Sequence, residues 1–280
     1  MFPADSIFNT DISTLPVSSQ SASWLSSMNA ATKDLHPDFG AYPYGIPYNV
    51  VTPTHATGGV SFQYASESDP NPYVVGSDLK IEGTPNDGGD DHMLAYDPSA
   101  CTLQEIYHAQ LANQPYTGGS GAKWNLTSDA LRPDGWTSAD AAGLPIFPLL
   151  VRFSEVQAGF IGHALRFTVH CTDTAHVWPA RHDAGTCGTS TSLPPMGARF
   201  RLKLSYSIAG FSPQAQVILR AMQHYGMFVA DNGSDWYFQG DENPGWTDAL
   251  LSELKSVPAA EFEAVDESSL LVDPNSGQAR

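Results

Sequence analysis

Histidine, arginine and cysteine crowd into one stretch of this chain, Leu131 to Cys187, where four of the nine histidines (His163, His170, His176, His182) stand with Arg152, Arg166 and Arg181. Two of the three cysteines, Cys171 and Cys187, lie there too. With only 13 lysines and arginines in 280 residues, such clustering reads as a polar site rather than a solubility device. Upstream, HMLAYD and CTLQEIYHA flank the turn DPSA and make the clearest hairpin in the sequence. The strand period of two puts His92, Leu94 and Tyr96 on one face with Leu103, Glu105 and Tyr107. In the strand-like run IGHALRFTV, His163 shares its face with Leu165, Phe167 and Val169. Polar groups on apolar faces are the starting point for chemistry.

Four chemistries suit these residues. Cleaving a glycosidic bond takes two carboxyls in one cleft; Glu105 is the acid, because apolar neighbours raise a carboxyl's pKa, and Asp91 or Asp134 is its partner, with Asp140 and Glu155 as further candidates. His92 and His163 join the catalytic set, Arg166 and Arg181 position or polarise the substrate, and Tyr107, Trp136 and Trp178 offer flat platforms for sugar rings. Uronate β-elimination uses the same face differently, with Arg166 or Arg181 neutralising the sugar carboxylate and His92, His163 or Tyr107 as base. A third option is a divalent metal on His92 and His163 with Glu105 or Asp91. Cys171, His176, His182 and Cys187 match no standard zinc spacing, and a Cys171–Cys187 disulfide accounts for the cysteines more simply. The fourth option is a carbohydrate-binding module without catalysis. Against each stands a structural role: Glu105 as partner of His92 or an arginine, and the rings as core.

Composition bounds the rest. A net charge of -17 argues against nucleic-acid backbones. No run approaches the ~18 apolar residues of a membrane span. The Met1 start lacks a basic and apolar leader, so secretion with the leader already removed is expected. No cofactor is required by the preferred chemistry, and a monomer acting on a polysaccharide or oligosaccharide is expected.

The 24 glycines and 21 prolines imply dense turns and a β-dominated fold. Pro37, Pro43 and Pro47 exclude HPDFGAYPYGIPYNVV from a sheet interior, giving an extended N-terminal arm over about 1–50. LPIFPLLVRF (144–153) is an apolar crossing, followed by a turn SEVQAG. ARFRLKL places Arg199, Arg201 and Lys203 on one side as a local basic strip. Ser212-Pro213 opens a helix that Gly226 stops. Asn232-Gly233 predicts a hairpin between MFVAD and DWYFQG. A helical tail covers about 246–280, frayed beyond Asp266. The expected architecture is one all-β-dominated domain over 1–280, a jelly-roll or concanavalin-like β-sandwich with a few peripheral helices.

The runs LRPDGWTSADAAGLP, HALRFT, VWPARH and GFSPQAQVIL with YGM and ADNGS resemble those of a family of secreted soil-bacterial proteins without an established activity. That resemblance spans most of the chain and implies export and a lectin-like or jelly-roll sandwich. It brings no catalytic residues with it. An extracellular glycoside hydrolase is the expectation, with a polysaccharide lyase, a metal-dependent glycan-active enzyme or a binding module as alternatives.

Overall fold

The computed structural model describes residues 1–84 and 88–280, so positions 85–87 in the expected loop GTPNDGGDD lie outside the described residues. Strand makes up 25% and helix 16%, and curled mixed sheets with few helices are consistent with a β-sandwich.

The larger sheet runs, in spatial order, His36–Asp38, Tyr237–Gln239, Leu165–Val169, Met227–Asn232, Arg199–Leu202, Phe262–Ala264. Every residue of Leu165–Val169 is buried. Its backbone groups therefore need partners on both edges, and it takes Met227–Asn232 in parallel and Tyr237–Gln239 antiparallel. The hairpin expected at Asn232-Gly233 does not form, because the strand from 165 to 169 is inserted between its two arms. Glycine is required at 233 by close approach instead: a Cβ there would lie 2.9 Å from Thr168 Cβ and Oγ1.

The smaller sheet has the order Tyr48–Val50, Met93–Asp97, Thr102–Tyr107, Ser120–Asn125. Its central hairpin has the register expected from the alternation, with Leu94 opposite Glu105 and Tyr96 opposite Leu103. Both faces are covered. Leu94, Leu103, Ala122 and Trp124 enter the main core, while Met93, Ala95 and Ile106 pack on a second cluster with Val60, Tyr73, Val74 and Val75. The proline-bearing segment supplies only edge strands, His36–Asp38 and Tyr48–Val50, where a missing ladder donor is tolerated.

Ser212 caps the helix Pro213–His224, accepting from Ala215 N–H, and the helix buries Ile218, Leu219 and Met222. SEVQAG is not a turn but part of the helix Phe153–Ala158, closed by Gly159 in the left-handed region. The ends of the chain are not loose. Phe2, Ile7, Phe8 and Ile12 of the arm and Leu270 and Ala279 of the tail all join the main core, and Ile7 N–H donates to Gly277 O at 2.7 Å. The basic strip is absent as a surface: Arg199 and Arg201 are buried and ion-paired with Glu267 and Glu263 at 2.8 Å each. Among the described residues, no helix is long and apolar enough to cross a membrane.

Candidate functional site

A cleft opens between the six-stranded and the four-stranded sheet. One compartment, about 330 Å³, is lined by Tyr64 and Glu67 from a loop, Tyr107 and Ser120 from the smaller sheet, the backbone and side chains of 137–141, His182, and Asp231 with Asn232 at the end of a strand of the larger sheet. A second compartment, about 290 Å³, is lined by Asp38, Glu82, His92, Arg166 and Gln239. Asp90, Asp231 and Asn232 line both. The compartments therefore adjoin along that shared wall.

Arg166 organises the floor. Its place in a fully buried strand forces its guanidinium to find partners inside the protein. Nη1 donates to Gln239 Oε1 at 3.0 Å, and Nη2 lies 3.1 Å from Asp140 Oδ1 and 3.9 Å from Asp231 Oδ2. Two carboxyls thus converge on one nitrogen. Burial raises Asp140 to about 7 against the pull of Arg166; it also raises Asp231, again with Arg166 opposing. Asp140 Oδ2 and Arg166 Nε are buried and have no hydrogen-bond partner among the described residues.

The loop that carries Asp140 is fixed from several sides. Ser138 Oγ accepts from Asp140 N–H at 2.9 Å and donates to Leu144 O at 2.6 Å, while Ser120 Oγ donates to Ser138 O at 2.5 Å. His92 reaches the same loop through Nε2, 3.0 Å from Ala139 O, and its Nδ1 lies 2.5 Å from Glu82 Oε2. A carbonyl on one side and a carboxylate on the other call for two N–H donors, the imidazolium form. Burial alone would lower the His92 pKa, but the Glu82 carboxylate and its hydrogen bond outweigh it and lift the value to about 9. On the opposite wall, Asn232 is tied to the loop closed by the Cys171–Cys187 disulfide: Thr172 Oγ1 donates to its Oδ1, and its Nδ2 donates to Ala184 O.

No family model matches the chain, and neither curated proteins nor solved structures give a match.

Of the residues expected from the sequence, His92, Tyr107 and Arg166 line the cleft, and Asp140 joins them. Glu105 does not. It is fully buried and accepts from Trp124 Nε1 at 2.9 Å, Ile146 N at 3.0 Å and Phe147 N at 2.8 Å. It satisfies the free amides at the start of the 3-10 turn Phe147–Leu149, a structural task. His163 precedes its strand and lines a separate cavity of about 470 Å³ with Arg152 and Glu155; its ring lies within 3.0 Å of both partners. The shared wall expected for His92, Glu105 and His163 is thus not found.

Asp91 faces His108 at 3.4 Å. Asp134 is exposed and pairs with His176 at 3.2 Å. Arg181 clamps backbone, donating to Arg132 O and Pro274 O. Trp136 lies under the Arg132 guanidinium at 5.5 Å, and Trp178 Nε1 donates to Ser276 O. None of these five side chains lines the cleft. The Cys171–Cys187 disulfide forms as expected, and the histidines near it have other partners: His176 lies between Asp134 and Asp183, and His182 Nδ1 donates to Ala141 O. Among the described residues, no three His, Cys, Asp or Glu side chains are arranged to hold a metal ion.

Asp231, Asp90, Glu82 and Glu67 were missed. Asp231 precedes Asn232-Gly233, and turn chemistry accounted for it too readily. Asp90 and Glu82 sit in loops and Glu67 in the short 3-10 turn Ala65–Glu67, none with a periodicity that shows which carboxylates will converge.

Proposed function

We propose that this protein is an extracellular glycoside hydrolase whose catalytic pair is Asp140 and Asp231. The observation that carries this is the convergence of a buried carboxyl, Asp140, and a partly buried one, Asp231, on Arg166 Nη2 at the floor of an open cleft. Two carboxyls competing for one cation in a desolvated site titrate apart, one retaining its proton into neutral pH. Asp140, a residue of the main compartment whose buried Oδ2 has no partner among the described residues, is the proton donor to the leaving oxygen. Asp231, whose side chain is a quarter exposed, attacks or assists the attack at the sugar carbon. The two compartments, meeting at Asp231, would seat sugars on either side of the scissile bond.

Uronate elimination fits less well. Arg166, the arginine that lines the cleft among the described residues, is already engaged by Asp140 and Asp231, and His92 is held as a donor on both nitrogens, so it is no base. The sandwich is proposed as jelly-roll-like, of a kind many glycan-active enzymes share, with the parallel pairs as departures. Export, a monomeric state and a polysaccharide substrate belong to the same proposal.

A glycan panel read by mass spectrometry tests it. Products gain one water, and kcat/KM falls roughly 10²–10⁴-fold in Asp140→Asn and in Asp231→Asn. Full activity in either variant removes that residue from the scheme, and unsaturated uronate products would replace hydrolysis by elimination.

A further inference from the structure

The cleft is strongly one-signed. Across its two compartments six carboxyl groups, Asp38, Glu67, Glu82, Asp90, Asp140 and Asp231, face two cations, His92 and Arg166, with His182 at the rim. Both cations are already held by members of that set: His92 by Glu82, Arg166 by Asp140 and Asp231. In the main compartment, Glu67 and the exposed Asp90 stand at the entrance, with the Thr137 N–H donating to Glu67 at 3.1 Å and the His182 imidazole 3.5 Å from it. Below them, Asp140 Oδ2 is buried without a partner among the described residues. Tyr107 registers the field: burial raises its pKa, and Asp90 and Asp231 add to the rise. The carboxylates are too dispersed for three of them to hold one metal ion, among the described residues. A field of this shape suits positive charge spread along an organic chain, and it repels anionic glycans.

We propose that the substrate is a glycan bearing free, protonated amines, a polymer of 2-amino-2-deoxy sugar units, whose ammonium groups are received by Glu67 and Asp90 at the mouth of the main compartment. This rests on the hydrolase reading of the same site and names its substrate class. The amine held at the entrance places the neighbouring glycosidic oxygen over Asp140 and Asp231. An N-acetylated sugar has the same ring but no charge, so it loses the ion pairs and keeps the rest.

Calorimetric titration of the full chain with a glucosamine tetramer, an N-acetylglucosamine tetramer and a lysine tetramer, at a pH where amines are protonated, is the test. The glucosamine tetramer binds about tenfold more tightly than either of the others, and added salt weakens it. The advantage disappears in the double variant Glu67→Gln/Asp90→Asn; Asp90 is exposed, and Gln keeps an acceptor for the Thr137 N–H that Glu67 receives, so folding is preserved. Equal affinity for the two sugars, or an advantage that survives the double variant, overturns the proposal. So does equal binding of the lysine tetramer, which would show attraction of charge alone. Tight binding of the glucosamine tetramer with no glycan cleaved would uphold the amine site and remove the hydrolase; cleavage of neutral glycans without amine preference would do the reverse.

Discussion

Glu105 and Asp140 are both fully buried carboxyls, and their partners separate them. Both oxygens of Glu105 accept, from two backbone amides and an indole. Burial raises its pKa, with those donors opposing. Asp140 has one oxygen on Arg166 and one with no partner among the described residues, and burial raises its pKa to about 7, so it keeps a proton to give. Replacing Glu105 by Gln turns an amide N–H toward existing donors. The expected loss is about 2–3 kcal/mol of stability, read from urea unfolding, with unchanged kcat for the folded fraction; a kcat loss at full stability would return Glu105 to the chemistry. The sequence did place Glu105 and His92 on one apolar sheet face. What it could not tell was whether the pocket opened there or whether other backbone donors would fill the space.

Strands and loops decide how those residues meet. Arg166 reaches the cleft floor because the strand Leu165–Val169 lies between Met227–Asn232 and Tyr237–Gln239. Those neighbours bring Asp231 and Gln239 to it. Gly233 lets the chain pass the end of that strand against Thr168. A valine at 233 would meet Thr168 at the same 2.9 Å with its first carbon, so Gly233→Val is expected to cost roughly 1–3 kcal/mol by overpacking and to disturb Asn232 on the cleft wall. Thermal unfolding checks the first effect. An unchanged midpoint would mean that the strand end yields freely. The Asn-Gly signal predicts a hairpin because local turn preference carries no knowledge of an intervening strand, Leu165–Val169, from far earlier in the chain. By contrast, the Met93–Asp97/Thr102–Tyr107 hairpin and the Ser212 cap were legible, since their partners are near in sequence.

At the scale of the whole molecule, a charge of -17 surrounds a core that buries several ionised groups. His92 has a folded pKa of about 9 against an ordinary 6.5. Its stabilising protonation is therefore complete below the unfolded value and is lost as pH rises through the folded one. Stability is expected to fall by on the order of 2 kcal/mol between pH 7 and 9, measured by urea unfolding, and to fall less in Glu82→Gln, where the pair is already gone. A flat profile in the wild type would mean that the imidazolium is not held. The arm and tail are also settled only at this scale. Phe2, Ile7 and Phe8 at one end and Ala279 at the other find the main core, although neither segment has a periodic pattern of its own.

Sequence by itself determined a β-dominated chain, its strongest local hairpin, one capped helix, an acidic character and a stretch rich in ionisable side chains. These follow from alternation, capping and composition, which act over a few residues. Only the tertiary structure decided which carboxyls share a guanidinium, which arginines are buried clamps and which histidine pins a loop. A charge's partner in a protein interior is set by whatever segment lies within a few ångströms of it, and for Arg166 those segments come from residues 140, 231 and 239.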